Sequence, residues 1–151
     1  MPYPYFRPFY DERFTIDIHG ADSENKTLED IFTTQHREGN FPVPFQELHA
    51  TISLHRTQAG DTVTLGDLEV RSIQLNRPGV DLGYRFQSDS GSAVLLTDLA
   101  PIGDNHLGDG MPQRAEDNQS AFEQDYYSDL VDFVRGTDIV LHDTNFTEEE
   151  I

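Results

Sequence analysis

Two aspartates stand where apolar runs end. AVLLT at 93–97 leads into Asp98, and IVLH at 139–142 leads into Asp143. An apolar run without alternation reads as a strand buried on both faces. Open α/β sheets place their ligands at the carboxyl ends of such strands. A carboxylate there is a hard oxygen ligand for zinc, manganese or magnesium, with His142 or another histidine as nitrogen donor. The plainer reading is that each Asp caps the loop that follows it, because Asp hydrogen-bonds its own backbone in turns. Spacing alone leaves both readings open.

Other chemistry has less support. No cysteine is present, which excludes disulfides, thiolate catalysis and Cys-zinc sites. The remaining histidines read as surface or satisfied side chains: His19 closes a strand, His36 sits at a helix end, His49 and His55 are isolated, and His106 lies in an acidic loop. No pair has a helix-face spacing such as H-x-x-x-H. The loop DNHLGDG at 104–110 misses the calcium-loop pattern, the serine-rich turn at 88–92 lacks a G-x-S-x-G elbow, and no glycine loop matches a phosphate cradle.

The elements that must position these residues follow from periodicity. The first fourteen residues hold six aromatics and three prolines, so they read as an irregular segment packed on something. Phe14, Ile16 and Ile18 alternate with polar residues in a strand. Thr27 can cap a helix over 27–38 whose face is Leu28, Ile31 and Phe32, and Gly39 stops it. A strand over 51–55 follows. Val63 and Leu65 then enter a hairpin that turns at Gly66-Asp67, a Gly-X pair suited to type II′. Its return strand runs from Leu68 to Leu75, with a phase slip between Val70 and Ile73 that implies a bulge or burial on both faces. Leu82, Tyr84 and Phe86 alternate in the next strand. Ser120 and Glu123 form a capping box for a helix to Arg135, with Phe122, Tyr126, Leu130, Phe133 and Val134 as its buried stripe. The order is β-α-β-β-β-β-β-α-β, an α/β layered domain without internal repeats.

Composition sets the class. The chain has 151 residues, the size of one domain, and a net charge of −18. Lys26 is the only lysine. That charge repels phosphates, which argues against nucleic acid and against an anionic membrane as partners. An Asp-rich, Lys-poor surface is halophile-like: carboxylates hold water and counterions in high salt, with self-repulsion in low salt. Ten Phe and six Tyr are too many for a disordered acidic tail. No apolar run approaches the ~18 residues of a membrane span, and the start lacks a signal-peptide core. The expectation is a soluble cytoplasmic protein.

Two blocks carry a family resemblance. LNRPGVDLGYRFQSDSGSAVLLTDLAP at 75–101 and GTDIVLHDTNFTEEE at 136–150 resemble the metallo-β-lactamase fold, in the branch of ribonuclease Z-like and class II phosphodiesterase-like hydrolases. That branch has an "L-N-H-P-G-x-x-x-G-Y-R" turn, a buried strand ending "T-D", a helix, and then "D-x-L-I-H-D-x-x-Y-T-x-E-E". IHG at 18–20 and NFPVPFQEL at 40–48 are similar to stretches that lie before the turn. The resemblance covers nearly the whole chain. It implies an αββα sandwich, of which residues 1–151 supply a single partial domain.

Members of the family bind two metals, usually zinc, with manganese as the other metal expected by resemblance. Their ligands are an H-x-H-x-D-H motif, the histidine of the H-P-G turn, a bridging aspartate at the "T-D" strand end, and a late histidine. Here the resemblance assigns only Asp98, at the bridging position after Thr97. The H-x-H-x-D-H motif is absent, Arg77 stands at the H-P-G histidine, and the late histidine falls beyond Ile151. His142, Asp143 and Thr144 match the "H-D-x" block, where the Asp orients the site. A catalytic zinc needs about three protein ligands and an open position for water. A guanidinium at 77 repels a cation and pairs well with Asp98. The expectation is a truncated or degenerate metal-dependent hydrolase of phosphoester type, inactive as this chain alone and without its own cofactor. The alternative is a non-catalytic acidic interaction module. Self-association is expected of both, and a further chain supplying the missing ligands is the remaining partner class.

Overall fold

The computed structural model describes residues 6–23, 25–35, 47–76, 80–97, 99 and 119–143. The element order is β1 (Thr15–Gly20), α1 (Leu28–Gln35), β2 (Thr51–Arg56), β3 (Thr62–Leu65), β4 (Leu68–Gln74), β5 (Leu82–Ser88), β6 (Gly91–Leu96), α2 (Gln119–Val134) and β7 (Ile139–His142). This is the order that periodicity predicts, and it is mixed α/β. The chain divides into two compact units, Met1–Thr57 and Gln58–Ile151.

In the first unit, β1 and β2 form a two-stranded parallel sheet in register, Ile16 beside Ile52 and Ile18 beside Leu54. Alternation gives the sheet an apolar face of these four residues and a polar face of Thr15, Asp17, His19, Thr51, Ser53 and His55. Helix α1 packs on the apolar side. A Cβ on Gly20 would come within 2.9 Å of the Leu28 side chain, so glycine there permits the close approach. Thr27 is the cap that the sequence predicts. Its Oγ1 accepts the Asp30 N–H at 3.1 Å, and Asp30 Oδ2 accepts the Thr27 N–H at 3.1 Å. The helix end at 36–39 lies outside the described residues. Within the described part of the aromatic N-terminal stretch, Arg7–Tyr10 forms a 3₁₀ turn with Phe9 buried.

The second unit is a five-stranded sheet in the order β3-β4-β5-β6-β7, antiparallel except for the parallel pair β6–β7. The β3–β4 hairpin turns through Gly66 at a positive φ of 67°, as its Gly-X pair implies. The register of β4 against β5 is continuous from Glu69 to Gln74. The phase slip at Val70 and Ile73 is therefore not a bulge: the two residues lie on opposite faces, and both are half-buried. Helix α2 covers one face. Leu75, Val94, Leu96, Tyr126 and Leu130 form the core, with Ile73, Leu99, Phe133 and Val134 packed against it. The Ser120–Glu123 box and Phe122 involve side chains outside those described. Gly83 leaves room for this packing, since a Cβ there would meet Leu96 at 2.8 Å and Leu75 at 3.0 Å.

One expectation is overturned. IVLH at 139–142 is not a strand buried on both faces. Among the described strands β7 is the edge of its sheet, with Ile139 56%, Val140 49% and Leu141 56% exposed. An apolar run reads the same whether both of its faces are covered or it closes a sheet edge.

Candidate functional site

The parallel pair β6–β7 brings the two Asp-terminated runs side by side. Leu95 pairs with Leu141 and Leu96 with His142. The Asp143 N–H donates to the Leu96 carbonyl at 3.3 Å, which carries the ladder one residue past β7. Thr97 is exposed immediately beyond β6. Asp98, Arg77 and Thr144 lie outside the described residues, and the expected pairing of Arg77 with Asp98 lies outside them too.

The far end of the pair is clamped. Asp138 Oδ2 accepts the Ser92 N–H at 2.7 Å and the Ser92 hydroxyl at 2.9 Å, and Ser92 Oγ accepts the Asp138 N–H at 3.1 Å. These bonds set the register that places Leu96 beside His142. Hydrogen bonding by the Ser92 side chain, then by its backbone, holds the Asp138 carboxyl below the usual carboxylate range.

The C-terminal end of helix α2 is tied to the central strand β5. Arg85 Nη1 donates to the carbonyls of Phe133 at 2.7 Å and Arg135 at 3.0 Å, where the helix carries partial negative charge. Leu75 N–H donates to the Asp81 carbonyl at 2.9 Å, closing the segment that contains Arg77, Pro78 and Gly79.

These groups do not make a two-metal centre. The family implied by resemblance would need several nitrogen and oxygen donors converging on two ions. Among the described residues no group of three or more His, Asp or Glu could hold a metal ion. His142 turns Nδ1 onto the carbonyl of its neighbour Asp143, and its Nδ1 stands 3.7 Å from Asp143 Oδ1. The donor set among the described residues, which leaves out Asp98, does not fit the implied metals.

A constellation that sequence reasoning missed lies on β1 and β2. His55 is not isolated. His19 and His55 are register partners, and their rings stack with centroids 4.6 Å apart and planes at 16°. Asp17 Oδ1 lies 2.7 Å from His55 Nε2. The parity of Asp17 and His19, two apart on one strand, is legible in the sequence. The partner strand and its register are not.

No family model matches the chain. No curated protein matches it either. Solved structures do. The chain is similar to a metallo-β-lactamase fold protein, YhfI from Bacillus subtilis, at 14% identity and TM-score 0.35, over 54% of this chain and 27% of that one. It is similar to a Cronobacter sakazakii metallo-β-lactamase with a HARLDQ motif at 12% identity and TM-score 0.41, over 83% and 52%. It is also similar to Rm3 metallo-β-lactamase at 11% identity and TM-score 0.40, over 83% and 56%. The chain thus spans between about a quarter and just over half of these proteins' lengths. No helix among the described residues is long and apolar enough to cross a membrane.

Proposed function

We propose that these 151 residues are a single partial metallo-β-lactamase-like domain of the phosphoester-hydrolase lineage whose metal-ligand set is incomplete. On its own it does not hydrolyse phosphoesters. The observation that carries this reading is the parallel β6–β7 register, with Leu96 beside His142. The family resemblance requires its "T-D" and "H-D" blocks to leave neighbouring strands. The ligand arithmetic supplies the loss of function: Asp98 alone matches a ligand position, and Arg77 replaces a histidine with a fixed cation.

Metal analysis tests the reading. The chain is incubated with zinc or manganese, desalted, and assayed for retained metal beside Asp98→Ala. The expected result is no ion whose retention depends on Asp98. Two retained ions per chain that are lost in Asp98→Ala would overturn it.

The second reading, an acidic interaction module, is favoured by the exposed edge strand β7. Its three large apolar side chains are half or more in solvent, or nearly so, on a chain otherwise rich in surface carboxylate. Unpaired strand edges recruit further strands. Self-association through β7 is compatible with both readings, and so are the cytoplasm as location and a separate chain that supplies the missing ligands.

A further inference from the structure

We propose that His19 and His55 form a surface site for one divalent transition metal ion of the imidazole-preferring kind, such as zinc. It is separate from the strand-end residues considered above and does not rest on that reading.

The strands dictate the juxtaposition. Residues paired across parallel strands share a face, so His19 and His55 project from the same side of the β1–β2 sheet. Asp17 stands on that side as well, two positions before His19. The other described side chains of this face are Thr15, Thr51 and Ser53, and none of them carries charge. Arg56, the nearest strand cation, has the opposite parity and pairs with Asp22 at 2.9 Å. Among the described residues the two imidazoles thus share their face with one carboxylate and no fixed positive charge.

The hydrogen bond sets which ring atom is available. An ionised carboxylate only accepts, so in the neutral ring the proton of this bond belongs to His55 Nε2 and the lone pair to Nδ1. A carboxylate holding one ring N–H of a histidine is the usual outer-shell arrangement around a ligated imidazole: it fixes the tautomer and raises basicity. The His19 ring, stacked with its centroid 4.6 Å from that of His55, carries the second nitrogen donor. Both side chains are partly in solvent, and the stack opens so that the in-plane lone pairs of the two rings converge on a shared ion. Two imidazoles with water in the remaining positions suit zinc, nickel or copper, whereas magnesium and calcium prefer oxygen ligands. Occupancy falls on acidification, because a protonated imidazole has no lone pair to give.

The test is zinc titration of the full chain by calorimetry, in excess magnesium and about 0.5 M salt to screen the surface carboxylates. Imidazole nitrogen NMR is read on the same samples. The expected result is one zinc per chain, with a shift at His55 Nδ1. His19→Gln and His55→Gln each weaken binding about tenfold or more, and so does Asp17→Ala through loss of the outer-shell bond. His49→Ala, a control outside the pair, leaves it unchanged. Circular dichroism establishes that each variant is folded, with His19→Asn and His55→Asn as replacements for any that is not. Absence of zinc binding, or binding that the folded His19 and His55 variants leave unaltered, would overturn the proposal.

Discussion

The phenol oxygen of Tyr126 accepts the backbone N–H of Asn76 at 2.9 Å, tying α2 to the residue just before Arg77. Both residues are buried. The bond holds the segment that follows β4, and it does so from the middle of a helix fifty positions away.

Tyr126→Phe is therefore expected to destabilise the fold by about 1–3 kcal/mol, because a buried N–H loses its acceptor. Burial pushes the Tyr126 hydroxyl above the ordinary tyrosine value, with the Asn76 bond opposing it and Tyr127 adding a little. A raised folded-state pKa contributes stability that is present below the unfolded tyrosine pKa, about 10, and lost as pH rises through the folded value. Denaturant midpoints should thus fall in alkali for the wild type and less for Tyr126→Phe. Equal alkaline sensitivity would remove Tyr126 as its source.

The Ser92–Asp138 clamp carries the opposite sign. A depressed carboxyl contributes stability above its unfolded pKa and loses it as pH falls through the folded value. Ser92→Ala should move the Asp138 titration up toward the ordinary carboxylate range, followed by carbon NMR of the side-chain carboxyl. The stability gap between wild type and variant should narrow in acid. An unmoved titration would assign the shift to another cause.

The exposed edge strand predicts association that strengthens with salt. The net charge of −18 keeps chains apart at low ionic strength, and about 0.5 M salt shortens the screening length to a few ångströms. Sedimentation equilibrium should show growing dimer as salt rises, and Leu141→Glu should reverse it by placing charge on the edge strand. A monomer at every ionic strength would contradict this.

Local patterns were the legible part of the fold. The Thr27 cap, the Gly66-Asp67 turn, the alternation of Leu82, Tyr84 and Phe86, and the Tyr126–Leu130 face of α2 depend on neighbours within one or two turns of chain. What the sequence concealed depends on pairing between distant segments. The apolar run Ile139–Leu141 carries no mark of being an edge, because edge and centre are decided by where other strands dock. The His19–His55 stack needs the β1–β2 register, which α1 and the sheet's apolar face impose. At the strand ends the sequence is legible to one step only: it names Asp98 and Asp143, and the structure pairs the strands that end there, while Asp98, Arg77 and Thr144 lie outside the described residues.

We propose that this chain alone does not hydrolyse phosphoesters. Metal-assisted hydrolysis lowers the pKa of a bound water from 15.7 to about 7, which requires an ion held with an open position. The direct measurement is turnover of bis-p-nitrophenyl phosphate with added zinc or manganese by the wild type, Arg77→His and Asp98→Ala. The expected result is no turnover above the metal-only background for any of the three. Arg77→His restores one ligand and still lacks the H-x-H-x-D-H motif and the late histidine. Wild-type turnover that disappears in Asp98→Ala would contradict the account and show that ligands outside the recognised motifs complete the site.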